Sequence, residues 1–190
     1  RLVKPFERAF YRQKNARRVI AISKALASEV ERFYGWRKPV DVIYHGTDTE
    51  QFRPARDEAA RATLRQRFGL PEGRWMWMFA GEAVKGLRQA IEHLPEFPDA
   101  HLFVLTRSRL EVFRSLAQRL GVLDRITFWG FEPQPELAYR VADLFVYAND
   151  YDPFGMVAAE AMATGVPIVC GKQIGVAELI EPGQIGRAHV

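Results

Sequence analysis

Short apolar runs alternate with helical stretches along almost the whole chain, and this alternation constrains the fold more than any other feature. Seven runs have the length and the β-branched or aromatic content of buried strands, at residues 18–22, 40–44, 75–80, 101–106, 125–130, 143–148 and 166–170. Helical patterns separate them at residues 24–34, 57–67, 86–94, 108–120, 134–141 and 153–164. Apolar strands joined through helices predict a parallel sheet covered on both faces, and therefore a doubly wound, Rossmann-like α/β fold.

The sequence DTEQFRPARDEAAR marks a boundary between two parts of the chain. Residues 1–54 hold one strand–helix–strand unit, which is too small to bury a core alone and is predicted to be the tail of an upstream domain. Residues 55–184 are predicted to form the main domain. Residues 185–190, IGRAHV, resemble the translated read-through of a common sequencing adapter, so we predict that they are not native; a genuine loop is the alternative. The chain is thus expected to be a fragment, truncated at both ends.

Composition excludes several classes of protein. A hydrophobic content of 48% is typical of a globular chain rather than a disordered one. No apolar run reaches the roughly 20 residues that span a bilayer. The one cysteine, Cys170, allows neither a disulfide framework nor a zinc site, and the four scattered histidines have no metal-ligand spacing. We therefore predict no metal and no cofactor, and a reducing, cytoplasmic location.

The basic residues are concentrated at the start of the chain. Residues 1–18 contain seven lysines and arginines against one acid, Glu7. Such a segment is either a solvated helix face, which is the favoured interpretation, or a surface for anionic lipid or nucleic acid. No nucleic-acid-binding motif accompanies it, so no nucleic acid partner is predicted. Peripheral contact with the inner face of the cytoplasmic membrane stays open.

The segment YDPFGMVAAEAMATGVPIVC, residues 151–170, places a carboxylate in apolar surroundings. Asp152 as an N-cap and Pro153 at the first helical position predict the start of a helix there. Within that helix, the residues three and four positions from Glu160 are apolar or small, apart from Thr164, so Glu160 lies on no polar stripe. Because an unpartnered buried carboxylate is costly, we expect Glu160 to face either a buried cation or a ligand with hydroxyl groups.

The distance between the two acids indicates what they bind. Eight residues of helix rise about 12 Å, so Asp152 and Glu160 cannot form a close acid–base pair. That length resembles the span from one sugar to another across a pyrophosphate. Free amides at Phe154, Gly155 and Met156 would favour an anion at the helix start. The segment would then bind ribose, phosphate and a hexose at the carboxyl end of a strand.

The sequence DPFGMVAAEAMATGVPIV resembles the donor-binding signature of the group 1 family of retaining glycosyltransferases, which have the GT-B fold. That signature has two acidic residues separated by seven, followed by Ala-Met-Ala and Gly-x-Pro. Four other stretches are similar to the family in its order: RVIAISKALASEVERFYG, VIYHGTDTEQFRP, ADLFVYANDYDPFG and GVAELI. The likeness covers nearly all of residues 16–183. It implies two Rossmann-like domains facing across a cleft, with the nucleotide-sugar held mainly by the C-terminal one.

The resemblance also implies roles for individual residues. Glu160 would accept hydrogen bonds from ribose hydroxyls, Asp152 (where glutamate is usual) would hold the donor sugar, and Lys85 would bind phosphate. The further donor-binding positions implied are Gly130, Phe131, Phe154, Gly155, Met156 and Glu178. A plain turn is the structural alternative for Gly130 and Phe131, and a helix-terminal acid for Glu178. The other structural alternatives are an N-cap alone for Asp152, a structural buried pair for Glu160 and an ordinary loop lysine for Lys85. Ser23 is interpreted as a helix N-cap rather than a substrate contact.

Two loops depart from the family pattern. The loop GEAVKG offers Glu82 where an arginine is usual, and it looks about two residues short. In VLTRSRLE, a Gly-rich turn is replaced, and Arg107 is either a substitute cation or, as we favour, a solvated loop residue. A metal-free diphosphate site that lacks one cation stabilises its transition state less well. A catalytically degenerate nucleotide-sugar-binding protein is therefore the alternative to an enzyme.

The function implied by the resemblance is transfer of a hexose from a UDP-, GDP- or ADP-sugar with retention of anomeric configuration. The acceptor would be a glycan or a lipid-linked glycan, in bacterial surface glycan or lipopolysaccharide synthesis. The family needs no metal and relies on the leaving diphosphate as base. The fragment alone is expected to be inactive. No G-x-G-x-x-G follows any predicted strand, which argues against a dehydrogenase.

Overall fold

A small parallel sheet comes first in the chain. The computed structural model describes residues 17–180 and, before them, residues 7, 9 and 11. Strand β1 (Val19–Ala21) pairs with β2 (Val40–Val42), and helix α1 (Lys24–Tyr34) connects them. Val19, Val30 and Trp36 form the buried core of this unit. The predicted basic segment falls mostly outside the described residues, and residues 185–190 fall wholly outside them.

The main sheet has five parallel strands in the order β5-β4-β3-β6-β7. Its strands are β3 (Trp75–Ala80), β4 (Ala100–Leu105), β5 (Ile126–Trp129), β6 (Leu144–Tyr147) and β7 (Ile168–Cys170). The helices are α2 (Glu58–Arg67), α3 (Leu87–His93), α4 (Glu111–Arg119), α5 (Pro135–Tyr139) and α6 (Met156–Ala163). The predicted parallel α/β fold is confirmed. No helix in residues 17–180 is long and apolar enough to cross a membrane.

The two central strands explain why the sheet is buried on both faces. Strand β4 has the sequence AHLFVL and every residue of it is buried; in β3 only the first residue, Trp75, is exposed. A strand with apolar side chains on both faces needs cover on both sides, which the helices and the connecting segments provide. Phe52, two residues before the predicted domain boundary, also packs into this main core.

The chain order of the strands reverses between β3 and β6. Both strands run in the same direction, so the loops that follow them lie side by side at one edge of the sheet. Gly86 permits this proximity, because a Cβ atom there would lie 2.7 Å from the carbonyl carbon of Ala148. Ligands of doubly wound sheets bind at such a reversal.

An ionic cluster ties the opposite edge of the sheet together. Asp143, just before β6, accepts hydrogen bonds from the Met76 amide at 2.6 Å and from Arg65 at 2.9 Å. Arg61 also donates to Asp143, so α2 is held against the starts of β3 and β6. All three charged side chains are at most 23% exposed. This edge is therefore stabilised independently of the loops at the other edge.

Candidate active site

Lys85 and Asp152 form an ion pair at the reversal point of the sheet. Lys85 lies in the turn after β3, Asp152 in the loop after β6, and Lys85 Nζ is 2.8 Å from Asp152 Oδ2. The Tyr147 hydroxyl donates to the same oxygen at 3.0 Å, and the Phe154 amide donates to Oδ1 at 3.1 Å. Three donors therefore hold one carboxylate that is only 9% exposed. The predicted phosphate-binding and sugar-binding residues belong to one cluster.

The donors decide the charge state of this cluster. Burial acts to raise the pKa of Asp152, but the hydrogen bonds from Lys85, Phe154 and Tyr147 outweigh it, so the pKa is lowered. The same bond to Asp152 raises the pKa of Lys85 against a smaller effect of burial. Burial, followed by the nearby Asp152 charge, raises the pKa of Tyr147. At neutral pH the cluster thus contains an ammonium, a carboxylate and a neutral phenol.

The predicted start of the helix is wrong. Helix α6 begins at Met156, and its N-cap is Gly155 in the left-handed conformation with φ 87°. Asp152 instead accepts from the amide two residues on, in a local turn, so the Phe154 amide is not free for an anion. A Cβ atom at Gly155 would lie 2.7 Å from the Ile174 side chain, which is why only glycine allows this loop to pack. A helical rise over eight residues therefore does not separate Asp152 from Glu160.

Glu160 has a partner that the sequence did not indicate. Its Oε2 accepts a hydrogen bond of 2.6 Å from the hydroxyl of Tyr139, so a buried phenol satisfies one of the two carboxylate oxygens. Burial raises the pKa of Glu160, and the bond from Tyr139 partly offsets this. Burial also raises the pKa of Tyr139 well above its ordinary value. The second oxygen, Oε1, accepts no hydrogen bond from the described residues.

A cavity of about 450 Å³ lies at the carboxyl ends of β3, β4 and β5. Gly130 and Phe131 line it, as do Glu82 and the residues that follow β4. The guanidinium carbon of Arg107 lies 3.9 Å from the centre of the Phe131 ring, although both side chains are exposed. Arg107 is therefore an exposed loop residue, as favoured from the sequence, that also forms part of the cavity wall. A flat aromatic–guanidinium pair of this kind is suited to stacking against a nucleobase.

The short loop after β3 is tied to the loop after β4. The Ala83 amide donates to Ser108 Oγ at 3.0 Å, and the Ser108 amide donates to Thr106 Oγ1 at 3.1 Å. These bonds fix the loop that carries Glu82 and Lys85. Three residues of the site were not predicted from the sequence: Ser108, Tyr139 and Tyr147. Their hydroxyl groups are ordinary features of a loop, a helix and a strand, and only the fold shows their partners.

Glu178 lies at the junction with the small sheet. Its two carboxylate oxygens accept from the amides of Lys24 and Ala25, both at 2.8 Å, and from the hydroxyl of Tyr44 at 2.9 Å. Burial acts to raise the pKa of Glu178, but these donors outweigh it and the pKa is lowered. The acid thus caps helix α1 together with Ser23, whose predicted N-cap role is confirmed. The contact of Glu178 with a nucleotide-sugar stays a prediction.

The remaining predicted positions surround the start of α6. Phe154 is 2% exposed, with its ring 5.3 Å from that of His45 and 6.3 Å from that of Tyr44. Met156, the first residue of α6, is exposed. Phe154 therefore supports the loop from within, whereas Met156 is accessible at the helix start.

Comparison with known proteins identifies the class to which this fold and site belong. Residues 60–189 match the family model described as glycosyl transferases group 1, and residues 1–51 match the model of glycosyltransferase family 4. The first match covers more than half of the chain. The chain therefore belongs to the group 1 glycosyltransferases.

Individual relatives include two glycosyltransferase-family proteins with different names. The chain is 35% identical to D-inositol 3-phosphate glycosyltransferase of Xylanimonas cellulosilytica, over 80% of this chain and 39% of that protein. It is also 35% identical to mannosylfructose-phosphate synthase of Agrobacterium fabrum, over 70% of this chain and 32% of that protein. The chain thus spans well under half the length of these relatives.

Solved structures confirm the GT-B type of fold. Anabaena HepE in complex with UDP superposes with a TM-score of 0.83 at 25% identity, over 94% of this chain and 52% of that one. Sucrose-phosphate synthase from Thermosynechococcus elongatus superposes with a TM-score of 0.81 at 26% identity, over 94% of this chain and 46% of that one. In both comparisons the chain corresponds to about half of the solved protein.

Proposed function

We propose that this chain carries the nucleotide-sugar site of a glycosyltransferase that transfers a hexose with retention of configuration. The observation that carries the proposal is the ion pair of Lys85 and Asp152 at the reversal point of the sheet. The pair lies at the same edge of the sheet as a cavity of suitable size for a base. Glu160 follows Asp152 in the chain, and its Oε1 is available to a hydroxyl donor. The relative crystallised with UDP supports a nucleotide ligand.

Each part of the donor has a chemically suitable partner. The base would stack in the cavity beside Phe131 and Arg107, and the ribose hydroxyls would donate to Glu160. The diphosphate would bind Lys85, whose ammonium stands at the start of α3 without a metal ion being needed. Asp152 would accept from hydroxyls of the sugar. Because three donors already hold Asp152, its carboxylate is a weak nucleophile, which favours a reaction in which the leaving diphosphate takes the acceptor proton.

The acceptor side of the reaction is proposed from the family alone. A glycan or lipid-linked glycan, bound by the domain to which residues 1–54 belong, would receive the sugar. This would serve bacterial surface glycan or lipopolysaccharide synthesis at the cytoplasmic face of the membrane. The basic residues Arg17 and Arg18 are exposed, in keeping with contact to an anionic surface.

A second candidate function has an observation of its own. Glu82 lines the cavity, and Lys85 is already neutralised by Asp152, so the site has a low surplus of positive charge for a diphosphate. A protein that binds nucleotide-sugars without transferring them would tolerate this. Activity of the full-length protein on a nucleotide-sugar and an acceptor distinguishes the two functions.

Nucleotide binding by the 190-residue chain tests the proposal. UDP, GDP and ADP, each with its glucose conjugate, would be screened by ligand-observed NMR and thermal shift. We expect one nucleotide class to bind, Glu160→Ala to abolish that binding, and the exposed control Glu96→Ala to retain it. If the chain is folded but binds none of these nucleotides, the result would contradict the proposal.

A further inference from the structure

Tyr139 is the buried side chain that holds Glu160. Its hydroxyl has Glu160 as its one hydrogen-bond partner within the described residues. The ring is fixed from two sides, because Phe52 packs against it edge-on at 5.8 Å and Phe145 lies at 5.6 Å. With 1% of its surface exposed, Tyr139 cannot itself touch a ligand. Whatever effect it has on binding must pass through Glu160.

The hydrogen bond makes the two oxygens of Glu160 unequal. Oε2 is held by the phenol, whereas Oε1 is open to hydroxyl donors. The terminal torsion of a glutamate is soft, so an unheld carboxylate samples a broad range of orientations. A partner with a rigid ring removes that freedom and fixes the direction in which Oε1 accepts. Fixed acceptors bind more tightly than ones that must be ordered on binding.

We infer that Tyr139 is a positioning residue: by holding Oε2 of Glu160, it directs Oε1 towards the ribose hydroxyls of the nucleotide. The inference rests on the proposed function, which assigns the ribose to Glu160. The fold supports it independently, because Tyr139 is the last residue of α5 and Pro135, the first, lines the base cavity. One short helix thus joins the wall of the base site to the group that orients the ribose contact.

A purely structural role for the same bond leads to a different result. If Tyr139 only satisfied a buried carboxylate, its removal would weaken the fold and affect every ligand alike. A positioning role acts on one part of the ligand alone. The distinguishing quantity is therefore the ratio of affinities for a nucleotide with and without its ribose hydroxyls.

The test uses Tyr139→Phe, which keeps the ring and removes the hydroxyl. Calorimetry would compare UDP with its 2′,3′-dideoxy form, or the corresponding GDP or ADP pair where that is the nucleotide bound. Because a hydrogen bond to a charged group is at stake, we expect the affinity for the ribonucleotide to fall about 10-fold and that for the dideoxynucleotide to change less than about twofold. The preference for ribose should largely disappear.

Two further variants keep the test decisive. Tyr151→Phe removes a comparable bond, from an exposed tyrosine to Glu29 at 2.9 Å, and should leave the ribose preference unchanged. Glu160→Gln should lose the preference by itself, and adding Tyr139→Phe to it should cause no further loss, since coupled residues are non-additive. Thermal unfolding would verify that each variant is folded.

Each remaining outcome is decisive. Equal weakening of both nucleotides by Tyr139→Phe, or no weakening of either, would overturn the inference. A wild-type chain that binds the two nucleotides equally would also overturn it while leaving nucleotide binding intact. A wild-type chain that binds neither would overturn the proposed function and the inference together.

Discussion

At the scale of single residues, the two acids of the site are held in different ways. Asp152 is ionised and saturated by Lys85, Tyr147 and the Phe154 amide, whereas Glu160 has one partner and a raised pKa. The surroundings of Asp152 stabilise its ionised form, whereas the surroundings of Glu160 destabilise its ionised form. A carboxyl group whose pKa is raised by burial in this way is typical of functional sites.

Lys85 is expected to carry the affinity for diphosphate. Lys85→Met removes the charge but keeps most of the chain length, so we expect diphosphate affinity to fall about 10- to 100-fold, by analogy with loss of a charge-assisted bond. Calorimetry with the nucleotide identified above measures this. Lys38→Met, in the small-sheet unit, is the control and should change affinity little. Equal affinities for the two variants would exclude a phosphate role for Lys85.

The raised pKa of Glu160 predicts that this residue, proposed to bind the ligand, lowers the stability of the fold. A carboxyl group with a higher pKa in the folded than in the unfolded chain lowers stability as pH rises through that interval. Glu160→Gln removes this cost, so we expect it to raise the free energy of unfolding by about 1 kcal/mol near neutral pH. The gain should vanish below about pH 4, where both states are protonated. Chemical denaturation across this range checks it, and an unchanged gain at low pH would contradict the pKa assignment.

At the scale of elements, the sequence predicted more of the fold than of the site. The seven apolar runs and six helical patterns correspond to the observed strands and helices because burial and periodicity are local properties. The predicted start of α6 was wrong. Asp152 and Pro153 satisfy the cap rules, but the packing of Gly155 against Ile174 determines where the helix begins. The Tyr139–Glu160 bond joins residues on two helices, and no local pattern contains it.

Gly86 determines how closely α3 approaches the end of β6. Gly86→Ala adds a Cβ that would lie 2.7 Å from the backbone of Ala148, at φ 106°, so we expect a loss of about 2–4 kcal/mol in stability. The displaced turn carries Lys85, so nucleotide affinity should fall as well. Urea denaturation and calorimetry measure the two effects.

The matched control for this substitution is Gly73→Ala. Gly73 also has a positive φ, 68°, but a Cβ there meets nothing within 4 Å. Backbone strain alone should then cost about 1 kcal/mol and leave nucleotide affinity unchanged. Similar losses at both positions would mean that backbone conformation, not the approach to β6, explains the effect at Gly86.

At the scale of the whole molecule, Glu178 joins the small sheet to the main one. Its carboxylate accepts hydrogen bonds from two otherwise free amides at the start of α1 and from the hydroxyl of Tyr44. Gly175 makes room for this contact, since a Cβ there would lie 2.3 Å from the Pro153 carbonyl oxygen and 2.8 Å from Ser23 Cβ. The junction therefore connects α1 to the loop that carries Asp152.

Glu178→Ala is expected to loosen this junction without unfolding either unit. The amides of Lys24 and Ala25 would lose their acceptor, so their hydrogen exchange should accelerate about 5- to 10-fold, in line with the loss of one charged cap. Exchange in β4 should stay unchanged. Glu31→Ala, an exposed acid on the same helix, is the control. Unaltered exchange at Lys24 and Ala25 would show that Glu178 does not stabilise the junction.

The reversal of strand order has a consequence for synthesis on the ribosome. Strands β3, β4 and β5 follow one another in the chain and can pair as soon as residue 129 has emerged, which leaves one edge of β3 without a partner. That edge stays unpaired until β6 emerges, and Lys85 has no access to Asp152, which lies 67 residues later in the chain, until the same stage. An unpaired central strand is prone to pairing with other chains, so the interval before β6 emerges is the period of greatest exposure to aggregation. A nascent chain can form the ion pair of Lys85 and Asp152 only after this interval ends.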